Sequence, residues 1–399
     1  MSDDELIPLC EPCLAGNAQR YLRECVRTNF VSSVGPFVDR FERDFAARVG
    51  SRHAVACASG TAALHVALRV VGVGAGDEVF VPSLTFIASA SPIVYLRAVP
   101  VFVDAEERTW NMDPQLLIDE LEQRAKCGAA QPKAVVAVHI QGHPAEMDQL
   151  VDACRRYDVA IVEDAAESLG ARYTKGPLAG REVGTIGRVG CFSFNGNKII
   201  TTGGGGMIVT DDEQLARRAR HLTTQAKVAG VEYLHDEIGY NYRLTNLAAA
   251  VGVAQLEQLD GFLEKKRRIA ATYDAALEPL PGIATAPRAA WADPTFWLYS
   301  IRVDAQRFGS DRHALHRSMA QEGIVTRPIW KPLDTQPAFP EPRRLGDGAV
   351  ARRLHDEGLT LPSSVTLTPG QQQRVIAAIV GQCRAARDDR RDARDRKAA

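Results

Sequence analysis

Residues 134–164 read AVVAVHIQGHPAEMDQLVDACRRYDVAIVED. Ala134–His139 and Val159–Asp164 are β-branched and apolar without alternation, and the segment between them, Ala145–Arg156, repeats its apolar side chains at helical spacing. Continuously apolar strands separated by amphipathic helices are what a mostly parallel sheet covered on both faces requires. The same grammar extends both ways. Further strands are predicted at Ala54–Ala58, Glu78–Pro82, Val99–Asp104, Gly190–Phe194 and Gly206–Thr210, with helices over residues 38–49, Thr61–Val71 and Pro114–Arg124. The pattern of strand, crossover, strand places the chain in the α/β class.

A length of 399 residues suits two domains. The first is predicted over residues 1–280, with residues 1–37 as an arm, and ends in one long helical pattern from about Thr245 to Leu280. Pro- and Ala-rich sequence from Leu280 to Pro294 marks the boundary. A smaller α+β domain over 281–386 follows, with strands Phe296–Val303 and Ile324–Arg327 and helices Arg312–Glu322, Gly348–Glu357 and Pro369–Ala386. The charged stretch 387–399 is expected to be a frayed tail.

Charge and composition exclude several functions. Forty-eight Lys and Arg against 49 Asp and Glu give a net charge of -1 and no global excess for holding a nucleic-acid backbone. No apolar run approaches the roughly 20 residues of a membrane span, and the acidic start Met-Ser-Asp-Asp-Glu lacks a signal-peptide profile. A cytoplasmic location and reduced cysteines are expected. Cys10 and Cys13 form a single C-x-x-C without the second pair that zinc requires, so no metal is expected there. His139 and His143 straddle a strand end and a loop, and read as structural. Gly72-Val73-Gly74-Ala75-Gly76-Asp77 follows a helix and precedes a strand, the reverse of a dinucleotide fingerprint, and reads as a helix stop and turn.

The chemistry concentrates around Cys191-Phe192-Ser193-Phe194-Asn195-Gly196-Asn197-Lys198, which is followed by Ile199-Ile200-Thr201-Thr202 and four glycines, Gly203 to Gly206. A desolvated lysine disfavours its ammonium form and becomes a usable nucleophile; the bland reading is a lysine emerging from a glycine-rich hairpin. Its prospective partners also lie at strand ends. Glu163-Asp164-Ala165-Ala166-Glu167 can pair a pyridinium nitrogen or simply cap a helix. Ser59-Gly60-Thr61 opens a helix as a phosphate cradle or an ordinary N-cap. Leu84-Thr85-Phe86 offers a stacking ring or core packing. Cradle, ring, carboxylate and lysine, in that order, describe a fold-type I pyridoxal phosphate site.

These stretches, with Asp77–Phe86 and Gly239-Tyr240-Asn241-Tyr242-Arg243-Leu244-Thr245-Asn246, resemble the DegT/DnrJ/EryC1/StrS sugar aminotransferases over roughly residues 6 to 385. The likeness is greatest to the LegC-type nucleotide-sugar C4 aminotransferases, through Phe194–Gly206 and Thr326-Arg327-Pro328-Ile329-Trp330. It implies an aspartate aminotransferase-like fold, pyridoxal 5'-phosphate as cofactor, L-glutamate as donor and a nucleotide-linked 4-keto-6-deoxy sugar as acceptor. It further implies Lys198 as Schiff-base lysine and proton shuttle, Asp164 at the pyridine nitrogen, and Phe86 on the ring. Gly60, Thr61 and Ser193 would bind the phosphate. Asn241 would be donated to the same phosphate by a neighbouring subunit, which makes a homodimer the minimal unit. The N-terminal loop containing Ser33, and the segment containing Arg327 and Trp330, would approach the substrate.

Two positions depart from the family pattern. Glu167 stands where many members carry Gln or His near the cofactor's phenolic oxygen, and a carboxylate there would repel a phenolate unless one is protonated. Lys331-Pro332-Leu333-Asp334 lacks the usual histidine, in a segment expected to face the sugar. The rival functions are a dehydratase, whose lysine is replaced by histidine, a 3-keto sugar aminotransferase, and a non-enzymatic regulator. Lys198 speaks against the first, and the charge balance and absence of a helix-turn-helix pattern against the last.

Overall fold

The structure, a computed structural model, describes residues 6–398, with side chains as far as Cys383. Its centre is an eight-stranded sheet in the spatial order His53–Cys57, Gly206–Thr210, Val189–Ser193, Ala160–Asp164, Ala134–Val138, Glu78–Pro82, Val99–Val103, Arg343–Leu345. Gly206–Thr210 runs antiparallel to both neighbours, and the remaining pairings are parallel. In the strand Glu78–Pro82, Phe80 joins a core on one face of the sheet while Val79 and Val81 join a core on the other. Period-two alternation combined with cover on both faces is why the strand is apolar throughout. Phe41 and Phe45, from the helix Pro36–Val49, pack edge-on or tilted against Phe192 and Phe194 and close the first face. The helix Gly60–Val70 buries Leu64 and Leu68 on the second.

The strands and helices expected from sequence up to residue 210 are present within two or three residues of their predicted ends. Gly72 at φ +91° and Gly76 at φ +83° make the anticipated helix stop and turn. The single long helix expected over 245–280 is instead two, Asn246–Leu256 and Leu259–Leu277. The first is rich in Ala and Gly and packs against Ala18–Thr28 and Pro36–Val49, whereas the second presents one apolar face with Phe262, Ile269 and Tyr273. A change of packing partner, not a loss of helical propensity, separates them.

After residue 281 an antiparallel sheet is ordered Arg327–Pro328, Gly358–Leu361, Tyr299–Val303, Ile283–Ala284, over a core that includes Tyr273, Tyr299, Leu315, Met319 and Ile379. The predicted strand at Ile324–Arg327 is reduced to Arg327–Pro328, because Ile324 pairs with Ile7 of the N-terminal segment. Arg343–Leu345 leaves this unit altogether and extends the large sheet beside Val99–Val103. The last helix runs Pro369–Ala398, so the stretch expected to fray is helical up to Ala398, and Ala399 lies outside the described residues. Its Ala and Arg are strong helix formers, which offsets the density of charge.

Candidate active site

The strand Val189–Ser193 delivers the chain into a turn at Asn195–Asn197, where the Lys198 amide donates to the Asn195 carbonyl at 3.0 Å. Three of the four glycines that follow are demanded by geometry. Gly203 has φ +82°, a Cβ on Gly205 would lie 2.3 Å from the Thr202 hydroxyl, and one on Gly206 would lie 2.4 Å from the Ser59 carbonyl oxygen. The run therefore packs the lysine loop onto the start of the helix Gly60–Val70.

Lys198 opens into a cavity of about 380 Å³ at the carboxyl ends of the strands, where open α/β sheets bind ligands. Gly60, Thr61, Phe86, Asp164, Glu167 and Ser193 line the same cavity. Ser59 caps the helix by accepting from the Ala62 amide at 3.1 Å. The Gly60 and Thr61 amides, left over as at any helix start, have no acceptor among the described residues. A Cβ on Gly60 would come within 2.8 Å of the Ser193 Cβ, so this cradle admits glycine alone. Asp164 ends its strand nearly buried; Ser89 donates to its Oδ2 at 2.7 Å and the Ala166 amide to its Oδ1 at 3.1 Å. Thr85 and Ser89 share a hydrogen bond of 2.9 Å that fixes the donor. Phe86 is 53 % exposed, and the cavity is what its ring faces.

The carboxylates of 163–167 separate into distinct roles. Glu163 is fully buried and accepts from His139 Nε2 at 2.8 Å and from the Gly184 amide at 2.8 Å. Because His139 Nδ1 accepts from the Ala145 amide at 3.0 Å, Nε2 is the nitrogen that carries the proton donated to Glu163. Burial raises the Glu163 pKa, yet these donors outweigh it and hold the acid below its usual value. This pair is structural, as expected for His139. Glu167 faces the cavity. Burial pushes it up to about 7 against the opposing pull of Lys198, whose Nζ lies 3.8 Å from Oε1, while Oε2 accepts from the Gln141 amide at 2.7 Å. Burial in turn lowers the Lys198 amine. Burial thus favours the neutral form of Glu167, the form that would not repel a phenolate.

Three residues named from sequence stand elsewhere within the single chain. Asn241 is exposed and bridges to Thr224. Ser33 lines a separate cleft with Arg220 and Arg243, and Arg327 is exposed on its short strand. Asp334 does not face the cavity either: it is buried, accepts from the Ser83 hydroxyl at 2.5 Å and pairs with Arg344 at 3.5 Å. Trp330 lines the cavity, joined by a residue that sequence reasoning passed over, Trp297. Its stretch reads as a strand from Phe296, whereas the strand begins at Tyr299 and Phe296 adopts φ +50°. Cys10 approaches too, with Sγ 3.3 Å from the Asn197 carbonyl, and all eight cysteines are free thiols.

Pyridoxal phosphate fits this donor set. A glycine-only helix start can take a phosphate, a buried carboxylate held by Ser89 can take a ring N–H, and a lysine amine stands across the cavity from the helix start. Comparison with known proteins agrees. Residues 12–380 match the model of the DegT/DnrJ/EryC1/StrS aminotransferase family. EpsN of Bacillus subtilis, described as a pyridoxal phosphate-dependent aminotransferase, is 46% identical over 94% of this chain and 95% of its own. GDP-perosamine synthase of Caulobacter vibrioides is 39% identical over 95% and 99% respectively. Among solved structures, DesV of S. venezuelae superposes with a TM-score of 0.82 at 34% identity, over 92% of this chain and 94% of that one. An aminotransferase from Brucella abortus superposes with a TM-score of 0.84 at 30% identity, over 92% and 95%. The chain belongs to the DegT/DnrJ/EryC1/StrS aminotransferase family, with the pyridoxal phosphate-dependent transaminase chemistry that its motifs imply.

Proposed function

We propose that this enzyme transfers the amino group of L-glutamate to C4 of a nucleotide-linked 4-keto-6-deoxy sugar. The observation that carries the reading is the approach of Lys198 Nζ to Glu167 Oε1, 3.8 Å apart, in a cavity that also holds Asp164. The sugar is favoured by the likeness to GDP-perosamine synthases, one 39% identical and a second, from Escherichia coli O157:H7, 38% identical over 92% of this chain and 95% of its own. Bound pyridoxal phosphate supplies an aldehyde carbon that exchanges amino groups and a ring that holds the electrons released at the neighbouring carbon.

The chain's own residues do the rest. The Gly60 and Thr61 amides and the Ser193 hydroxyl bind the phosphate, and Phe86 stacks on the ring. Asp164, kept in place by Ser89, accepts a hydrogen bond from the ring nitrogen. Glu167, protonated up to about pH 7, donates to an oxygen where an ionised acid would repel it. Lys198, its amine lowered by burial, is free of its proton at a pH where an exposed lysine holds it, and so could take a proton from the donor's α-carbon and return it to the carbon on the other side of the transferred nitrogen. Trp330 walls the sugar side of the cavity, and Ser33 and Arg327 approach the substrate from the outer loops. Exposed Asn241 reaches the phosphate of a second subunit in a homodimer with shared sites. No helix among the described residues is long and apolar enough to cross a membrane, in keeping with a cytoplasmic location.

Mass spectrometry of products from a panel of GDP-, UDP- and dTDP-linked keto sugars with glutamate tests the assignment. The expected product is a 4-amino sugar, formed by the wild type and not by Lys198→Ala. Loss of water without amination would assign a dehydratase instead. A strictly monomeric active enzyme by sedimentation would overturn the role of Asn241.

A further inference from the structure

Trp297 is 2% exposed, and its ring centroid lies 3.9 Å from Lys198 Nζ. Its indole N–H donates to the Asn197 carbonyl at 2.5 Å, the peptide from which Lys198 springs. Trp330 stacks parallel to it, centroids 6.2 Å apart and planes 14° apart. The Trp297 carbonyl is held from behind by Lys266, which is 2% exposed, donates to it at 2.7 Å and to the Ser363 carbonyl, and has no carboxylate partner among the described residues. A buried ammonium spent on two carbonyls is costly, and what it secures here is the backbone of Trp297.

We infer that Trp297 is a positioning residue for Lys198: its ring face holds the ammonium, and its N–H fixes the peptide that aims the side chain. The inference rests on the proposed role of Lys198 as the proton carrier. The ionisable groups facing that amine are Glu167, Asp164 and Cys10. Glu167 changes its charge near neutral pH, whereas the aromatic face does not, and it attracts the amine for as long as the amine is protonated. It therefore keeps the amine in one place through both protonation states of the acid. A tryptophan present for packing alone contributes only burial, so its removal would leave the Lys198 midpoint unchanged or raise it.

The discriminating measurement is the pH dependence of Lys198 acetylation by acetic anhydride, read by mass spectrometry of the Lys198 peptide, in full-length protein freed of cofactor. Cation–π attraction favours the ammonium by an amount equivalent to roughly one pH unit. Trp297→Leu should therefore lower the labelling midpoint by about that much, with Trp297→Phe, a weaker ring lacking the N–H, falling between. A wild-type or raised midpoint in Trp297→Leu overturns the inference. If that variant fails to fold, a wild-type midpoint in Trp297→Phe does the same. Borohydride trapping of pyridoxal phosphate on wild-type Lys198 is run separately; its failure would sink the proposed role of Lys198 while leaving the labelling comparison interpretable.

Discussion

Replacing Glu167 by Gln sets burial against ion pairing in a single measurement. At 3.8 Å, Lys198 would favour the Glu167 carboxylate by about 4 kcal/mol at an effective dielectric near 20. Burial nevertheless prevails and carries the acid from 4.5 up to about 7. An acid whose folded pKa exceeds its unfolded one adds stability that is complete below pH 4.5 and is lost as pH rises through 7. A shift of this size corresponds to about 3 kcal/mol. Urea unfolding of cofactor-free wild type and Glu167→Gln, followed by tryptophan fluorescence at fixed protein concentration, cancels the titrating groups that do not touch Glu167. The wild type's advantage should shrink by about 3 kcal/mol across that window. In a Lys198→Ala background the opposing attraction is gone, and the loss should extend to higher pH and grow larger. A difference between wild type and Glu167→Gln that stays flat, or that grows as pH rises, would refute the claim that burial dominates.

The other predictions concern the cradle, the ring partner and the buried lysine. Gly60→Ala places a Cβ 2.8 Å from that of Ser193, an overpacking of about 1–3 kcal/mol, so absorbance titration should give a roughly tenfold or greater loss of pyridoxal phosphate affinity in a folded protein. Asp164→Asn replaces the carboxyl group that accepts from Ser89; single-turnover kinetics with glutamate should slow by about two to four orders of magnitude, while borohydride still traps the cofactor on Lys198. Lys266→Met leaves the Trp297 and Ser363 carbonyls without their donor, and urea unfolding should register a loss of about 1–3 kcal/mol.

The large sheet was legible because its determinants are local and repeated. The strand Glu78–Pro82 carries its own evidence, since Val79, Phe80 and Val81 are all apolar and helices cover both faces. Lys198, Asp164 and Gly60 were legible for a related reason: each sits at a strand end or helix start, and such junctions converge on one edge of a parallel sheet whatever the lengths of the crossovers. The comparisons extend that reading to the family and not to the individual contacts. Within one chain, Asn241, Ser33 and Arg327 lie away from the cavity, and nothing in their local sequence says how far off the cavity lies.

What escaped the sequence depends on contacts between segments far apart in the chain. Trp297 reads as strand core because Phe296-Trp297-Leu298-Tyr299 is uniformly apolar, and the left-handed turn at Phe296 that diverts it toward Lys198 has no glycine to announce it. Ile324 is a plausible strand residue that gives up its neighbours to pair with Ile7, and Arg343–Leu345 leaves the small unit to extend the large sheet. Each exception joins the unit beyond residue 281 to a segment far away in the chain: the lysine loop, the N-terminal segment and the large sheet. Local pattern is informative where an element is stabilised by its own periodicity. It is silent where a few residues are recruited by distant segments, and in this chain one of them, Trp297, lines the cavity that does the chemistry.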